Sequence, residues 1–134
     1  MKAIAAAMTL SLLSIPALAD TYICKEEQKS FMELYQDRAK DVVAGTASNS
    51  YIVSEKGVKF LGSKDEPIID SCEADVNGAL FLCEKHTSES RVSPEISDWL
   101  RINNAGGFTF IMHMYDSRGA TETHIVSMGK CSKI

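Results

Sequence analysis

The chain has 134 residues, with 14 Lys and Arg against 18 Asp and Glu, four Cys and 7% aromatic residues. A mildly acidic chain with no cluster of Lys and Arg excludes nucleic acid as a partner, because neutralising phosphates needs concentrated cations. One domain is expected at this length, and no sequence motif implies a cofactor.

The first predicted element is a leader. Met1–Ala19 carries one early cation, Lys2, an apolar stretch from Ala3 to Ile15, a break at Pro16, and then Ala17-Leu18-Ala19. That is the pattern of a secretory signal peptide, too short and wrongly flanked for a membrane span. Cleavage near Ala19 leaves residues 20–134 as a single secreted β-rich domain without a transmembrane segment, and losing Lys2 takes the net charge to about −5. The new first residue would be Asp20 rather than Cys, which argues against a lipid anchor.

From Lys25 to Val43 the residues are mostly good helix formers, and Phe31, Leu34, Tyr35, Arg38 and Val42 recur at helical spacing, so an N-terminal helix is predicted, stopped at Gly45. Thr46–Ser50 reads as a loop. Tyr51–Val53 and Val58–Leu61 flank Glu55-Lys56-Gly57, the pattern of a hairpin whose loop has two residues or three. Ser63–Pro67 is a charged connector, and its carboxylates, Asp65 and Glu66, read with Asp70 as solvated groups rather than an acid–base pair.

All four cysteines follow the leader and their number is even, so two disulfides are expected in an oxidising compartment. Asn77-Gly78 favours a two-residue type I′ turn, which places Val76 opposite Ala79, Ala74 opposite Phe81, Cys72 opposite Cys83 and Asp70 opposite Lys85. Cys72 then pairs with Cys83 and, by elimination, Cys24 with Cys131. A four-cysteine zinc site would need close pairs such as Cys-x-x-Cys, and the sequence has none.

Thr87–Ser97 is polar and reads as the longest loop, with one helical turn possible at Ser93-Pro94-Glu95. Trp99–Ile102 and Phe108–Tyr115 read as strands joined by the turn cluster Asn103-Asn104-Ala105-Gly106-Gly107. Phe108, Phe110, Met112 and Met114 share one face; core packing is the stronger reading of those methionines, and soft ligation of copper the rival. Trp99, beside Leu100 and Ile102, is expected to pack on the core. Asp116–Gly119 then turns the chain into Ala120–Met128. The fold class is mainly β (α+β): an antiparallel meander or small barrel of six to seven short strands with one N-terminal helix.

If Tyr115 faces Ala120 across the last hairpin, His113 faces Glu122, and His124 lies on the same face opposite Ile111. Two imidazoles and a carboxylate so placed suit a transition metal, or a general-base histidine oriented by a carboxylate. His and Glu on an exposed strand more commonly make a solvated polar face. His86 reads as a surface residue. No Gly-x-Ser-x-Gly elbow, phosphate-binding glycine loop, His-Glu-x-x-His pair or calcium loop occurs.

Three segments carry a resemblance: Tyr22-Ile23-Cys24, the run from Trp99 to Phe108, and Gly129-Lys130-Cys131-Ser132-Lys133-Ile134. Together they resemble a loose class of small secreted proteobacterial proteins with two disulfides and no established activity. The resemblance implies a periplasmic β-domain and no mechanism, and the helix-like Lys25–Val43 stretch departs from the pattern. Similarity to the periplasmic inhibitors of C-type lysozyme, small acidic disulfide-bonded β-barrels, is architectural only, because their Ser-Gly-x-x-Tyr loop is missing.

The leading functional expectation is a non-enzymatic periplasmic or secreted binding or envelope-accessory protein, inhibitor-like in style, whose acidic surface meets a cationic envelope or secreted protein. The alternatives are a small metalloprotein or hydrolase using His113, Glu122 and His124, and a purely structural envelope component.

Overall fold

Strand alternation, not helical spacing, governs the described residues from Tyr22 onward. The computed structural model describes residues 20–35, 38–39 and 42–134. The expected signal peptide, residues 1–19, lies outside them, as do positions 36–37 and 40–41 of the expected helix. Ten strands follow: β1 Tyr22–Tyr35, β2 Arg38–Ala39, β3 Val43–Ala44, β4 Ser50–Ser54, β5 Gly57–Phe60, β6 Cys72–Val76, β7 Ala79–Thr87, β8 Glu95–Asn103, β9 Gly107–Asp116 and β10 Thr121–Lys133. The sheet order is β5-β4-β1-β10-β9-β8-β7-β6, with β2 and β3 added on β1 and every pairing antiparallel.

Two sequence expectations are thereby corrected. Among the described residues there is no helix, and the strands number ten rather than six or seven. The segment Lys25–Tyr35 is strand because β10 supplies it with a partner along its whole length, from Tyr22 opposite Lys133 to Tyr35 opposite Thr121. Such pairing overrides the weak helical preference of Glu, Lys, Gln and Met. The Ser93-Pro94-Glu95 turn is likewise not helical: β8 begins at Glu95, so the polar connection shortens to 88–94.

A β-bulge between Glu26 and Gln28 inserts one extra residue into β1. Before it the core-facing residues are Tyr22, Cys24 and Glu26; beyond it Lys29 and Phe31 take that side, opposite Ser127 and Ile125. The bulge rests on Gly129, where a Cβ would lie 1.9 Å from the Lys25 carbonyl oxygen and 2.8 Å from the Phe108 ring.

The ends of the sheet meet. Val58 bridges Ile69, with Val58 N–H donating to the Ile69 carbonyl at 2.9 Å and Ile68 N–H to the Val58 carbonyl at 2.8 Å. The Cys72 amide also donates to the Glu55 carbonyl at 3.2 Å, so β5 and the approach to β6 nearly close a barrel. Inside lie Tyr51, Val53, Val58, Ile69, Phe81, Leu100, Ile102, Phe108 and Phe110, with the Tyr51 ring edge-on to both Phe108 and Phe110. Gly57 sits at this seam with φ +114°, and a Cβ there would fall 1.9 Å from the Ile69 carbonyl oxygen. Gly57→Ala is therefore expected to destabilise the fold by about 3 kcal/mol. Gly62→Ala, also at positive φ but facing open space, is expected to lose only about 1 kcal/mol. Urea midpoints compare the two, and equal losses would contradict the seam.

Both disulfides form as the turn register predicts. Cys72 is paired and bonded with Cys83 across the Asn77-Gly78 turn, whose residues have φ 51° and 72°. Cys24 bonds Cys131 across β1 and β10. The same register brings Lys85 Nζ to 3.8 Å from Asp70 Oδ1. The β4–β5 hairpin closes on two residues, with Ser54 opposite Gly57. Among the described residues no helix is long and apolar enough to cross a membrane.

Candidate metal centre

Turn chemistry decides the geometry of the last hairpin. Its loop has four residues, Ser117–Ala120, with Ala120 at φ 49° and its amide donating to the Ser117 carbonyl at 3.3 Å. The Arg118 guanidinium folds back to clasp both oxygens of Asp116, at 2.9 and 3.0 Å. Asp116 therefore pairs with Thr121, and the expected pairing of Tyr115 with Ala120 is displaced by two positions. An even displacement leaves the faces unchanged but alters the partners. His113 stands directly opposite His124, not Glu122, and Glu122 stands opposite Tyr115.

Three side chains converge. His113 Nε2 lies 2.7 Å and His124 Nε2 2.9 Å from the same oxygen, Glu122 Oε1. The two rings stack with centroids 4.5 Å apart. One donor atom from each residue falls within a span of 4.8 Å, and all three side chains are half-buried. Hydrogen bonds from His113 and then His124 hold the Glu122 carboxyl below its usual value, against a slight opposing effect of burial. The three residues thus present two nitrogens and a carboxylate on one side of a rigid pair of strands, a donor set suited to a borderline divalent cation.

Neighbouring strands extend the group into a transverse row. Ser97 of β8 is opposite His113, and His86 of β7 is opposite Ser97, its Nδ1 2.9 Å from the Ser97 hydroxyl. On the other flank Met32 of β1 stands opposite His124. A cleft of about 300 Å³ lined by Leu34, Tyr115, Ala120 and Glu122 opens beside the carboxylate. The Ser97–His86 contact is exposed, and the other ring nitrogen of His86 has no hydrogen-bond partner among the described residues.

Other sequence candidates separate from this group. Phe108 and Phe110 are buried, Met112 packs on the core and Met114 is exposed on the same side of the sheet, away from the imidazoles. Trp99 is not a core residue: Asp98, Leu100 and Ile102 point inward, and Trp99 alternates onto the outer face, half-buried. Asp65 and Glu66 are exposed. A larger groove of about 560 Å³ runs beside Gly106, Gly107 and Gly129, flanked by Glu27 and Lys130, whose ion pair is 3.9 Å and exposed.

Sequence reasoning missed two residues, both on β1. Met32 was hidden within the expected helix. Glu26, only 3% exposed, accepts hydrogen bonds from the Tyr51 hydroxyl at 2.5 Å and from the Asn49 and Ser48 amides at 3.1 and 3.3 Å. Ser127, fully buried, lies on the same side of the sheet, close enough for its hydroxyl to help hold the Glu26 carboxyl low. Comparison with protein-family models, with curated proteins and with solved structures finds no match to this chain.

Proposed function

We propose that this is an extracytoplasmic, non-enzymatic binding protein whose ligand is a transition-metal ion held by His113, Glu122 and His124. The observation that carries this reading is the convergence of two Nε2 atoms on one carboxylate oxygen at 2.7 and 2.9 Å, across strands in direct register. A cation at that point replaces the protons the two imidazoles share with Glu122, and the cleft beside Glu122 leaves room for a solvent ligand. Two disulfides and the signal-like leader support an oxidising compartment, periplasmic or secreted, and agree with the loose class of secreted two-disulfide proteins that the terminal segments resemble.

Isothermal titration of chelator-stripped protein with Zn²⁺ is expected to give one site per chain. His113→Ala and His124→Ala should each weaken it about 100-fold, a loss of roughly 2.7 kcal/mol. Binding should also weaken on acidification, because imidazole must be unprotonated to ligate. Zinc at 100 times its dissociation constant should stabilise the fold by about 2.7 kcal/mol. A flat titration, or histidine variants that bind like wild type, would remove the reading.

A further inference from the structure

We infer that Met32 supplies a thioether to this site and gives it a preference for soft monovalent ions, copper(I) above all. This rests on the metal reading of His113, Glu122 and His124. The argument begins from register. Met32 is the direct antiparallel partner of His124 on β1, and His113 is its direct partner on β9. Directly opposed residues share a face, with Cβ atoms about 4.5–5.5 Å apart. Three adjacent strands therefore set Met32, His124 and His113 in one line across the sheet, with Glu122 two residues along β10 on the same side.

The chemistry of the fourth donor then matters. The unbranched methionine side chain has three rotatable bonds, so from a cross-strand position its sulfur can reach an ion held by the neighbouring imidazole. Met32 is half-buried, with Leu34 on the same face of β1. Zinc gains little from a thioether, whereas copper(I) is matched to sulfur and imidazole donors together. Among the described residues no other methionine shares this placement: Met112 and Met114 point to the opposite side of β9, and Met128 lies four residues along β10 from His124.

Silver(I), a redox-inert probe of copper(I) sites, and Zn²⁺ separate this inference from the reading beneath it. Both are titrated in chloride-free buffer into wild type, Met32→Leu and His124→Ala, each with its disulfides intact. Met32→Leu is expected to weaken Ag⁺ by about tenfold or more while Zn²⁺ stays within about twofold, and the apo melting temperature should not move. The ¹³C-labelled methyl of Met32 in wild type should shift at one equivalent of Ag⁺. An unshifted Met32 methyl at Ag⁺ saturation, or equal loss of both ions in Met32→Leu, overturns the thioether assignment and leaves the His113–Glu122–His124 reading standing. Wild type that takes neither ion, or His124→Ala that keeps both, overturns the two together.

Discussion

Replacing Cys24 and Cys131 together by alanine is expected to remove about 4–5 kcal/mol of stability, against about 3 kcal/mol for the Cys72/Cys83 double variant. The two bridges span 107 and 11 residues, and a cross-link restrains the unfolded chain more as the loop it closes lengthens. Cys24–Cys131 also staples β1 to β10, the strand pair that joins the hairpin β4–β5 to the rest of the sheet. Alanine is the appropriate replacement because Cys24 is fully buried, and a serine hydroxyl there would lack a partner. Domains of this kind are typically stable by only 5–15 kcal/mol, so loss of the long bridge is expected to leave a protein that melts near physiological temperature. Urea unfolding under non-reducing conditions measures both variants. Equal losses, or a larger one at Cys72–Cys83, would show that the long bridge does not act through loop closure.

How far the sequence could be read depended on whether local chemistry alone set the register. At Asn77-Gly78 it did: two residues that tolerate positive φ define the turn, and everything on β6 and β7, including a disulfide, follows. At Ser117–Ala120 it did not, because the Arg118–Asp116 clasp and the left-handed Ala120 extend the loop to four residues. The face shared by His113, Glu122 and His124 survived that change only because the displacement was even. On β1 the reading failed for a different reason. The bulge at Glu26 reverses the alternation partway along the strand, and the inward position before it holds a glutamate rather than an apolar residue. No period of two remains visible from Tyr22 to Tyr35, and what is left resembles a helix. Met32 was lost with it, since its position opposite His124 exists only once the strand is recognised.

The inward glutamate sets the second large effect. Glu26→Ala is expected to destabilise the fold by about 3 kcal/mol, because it leaves the buried Tyr51 hydroxyl and the Asn49 amide without an acceptor. Glu26→Gln keeps one acceptor oxygen and should lose less, yet it changes the pH dependence. Burial pushes the Glu26 carboxyl up, but the Tyr51 hydroxyl, the Asn49 amide, the Ser127 hydroxyl and the Lys29 charge outweigh it, and the net value falls below the usual 4.5. A carboxyl depressed in the folded state contributes stability above its unfolded value, and that contribution is lost as the pH falls toward the folded one. Tyr51 behaves in the opposite sense: burial and the adjacent carboxylate raise its phenol well above 10.0. Its contribution is complete below 10.0 and is lost as alkaline pH ionises the unfolded phenol while the folded one keeps its proton. Wild type should therefore weaken at both extremes, below about pH 4.5 and above about pH 10. Glu26→Gln should flatten the acid side, while Tyr51→Phe should flatten the alkaline side and, by removing a donor that holds the folded carboxyl below its unfolded value, should also shrink the acid loss. Urea midpoints taken from pH 3 to pH 11 test the coupling. An acid limb unchanged in Glu26→Gln would mean that other carboxylates, Asp116 and Glu122 among them, govern acid stability.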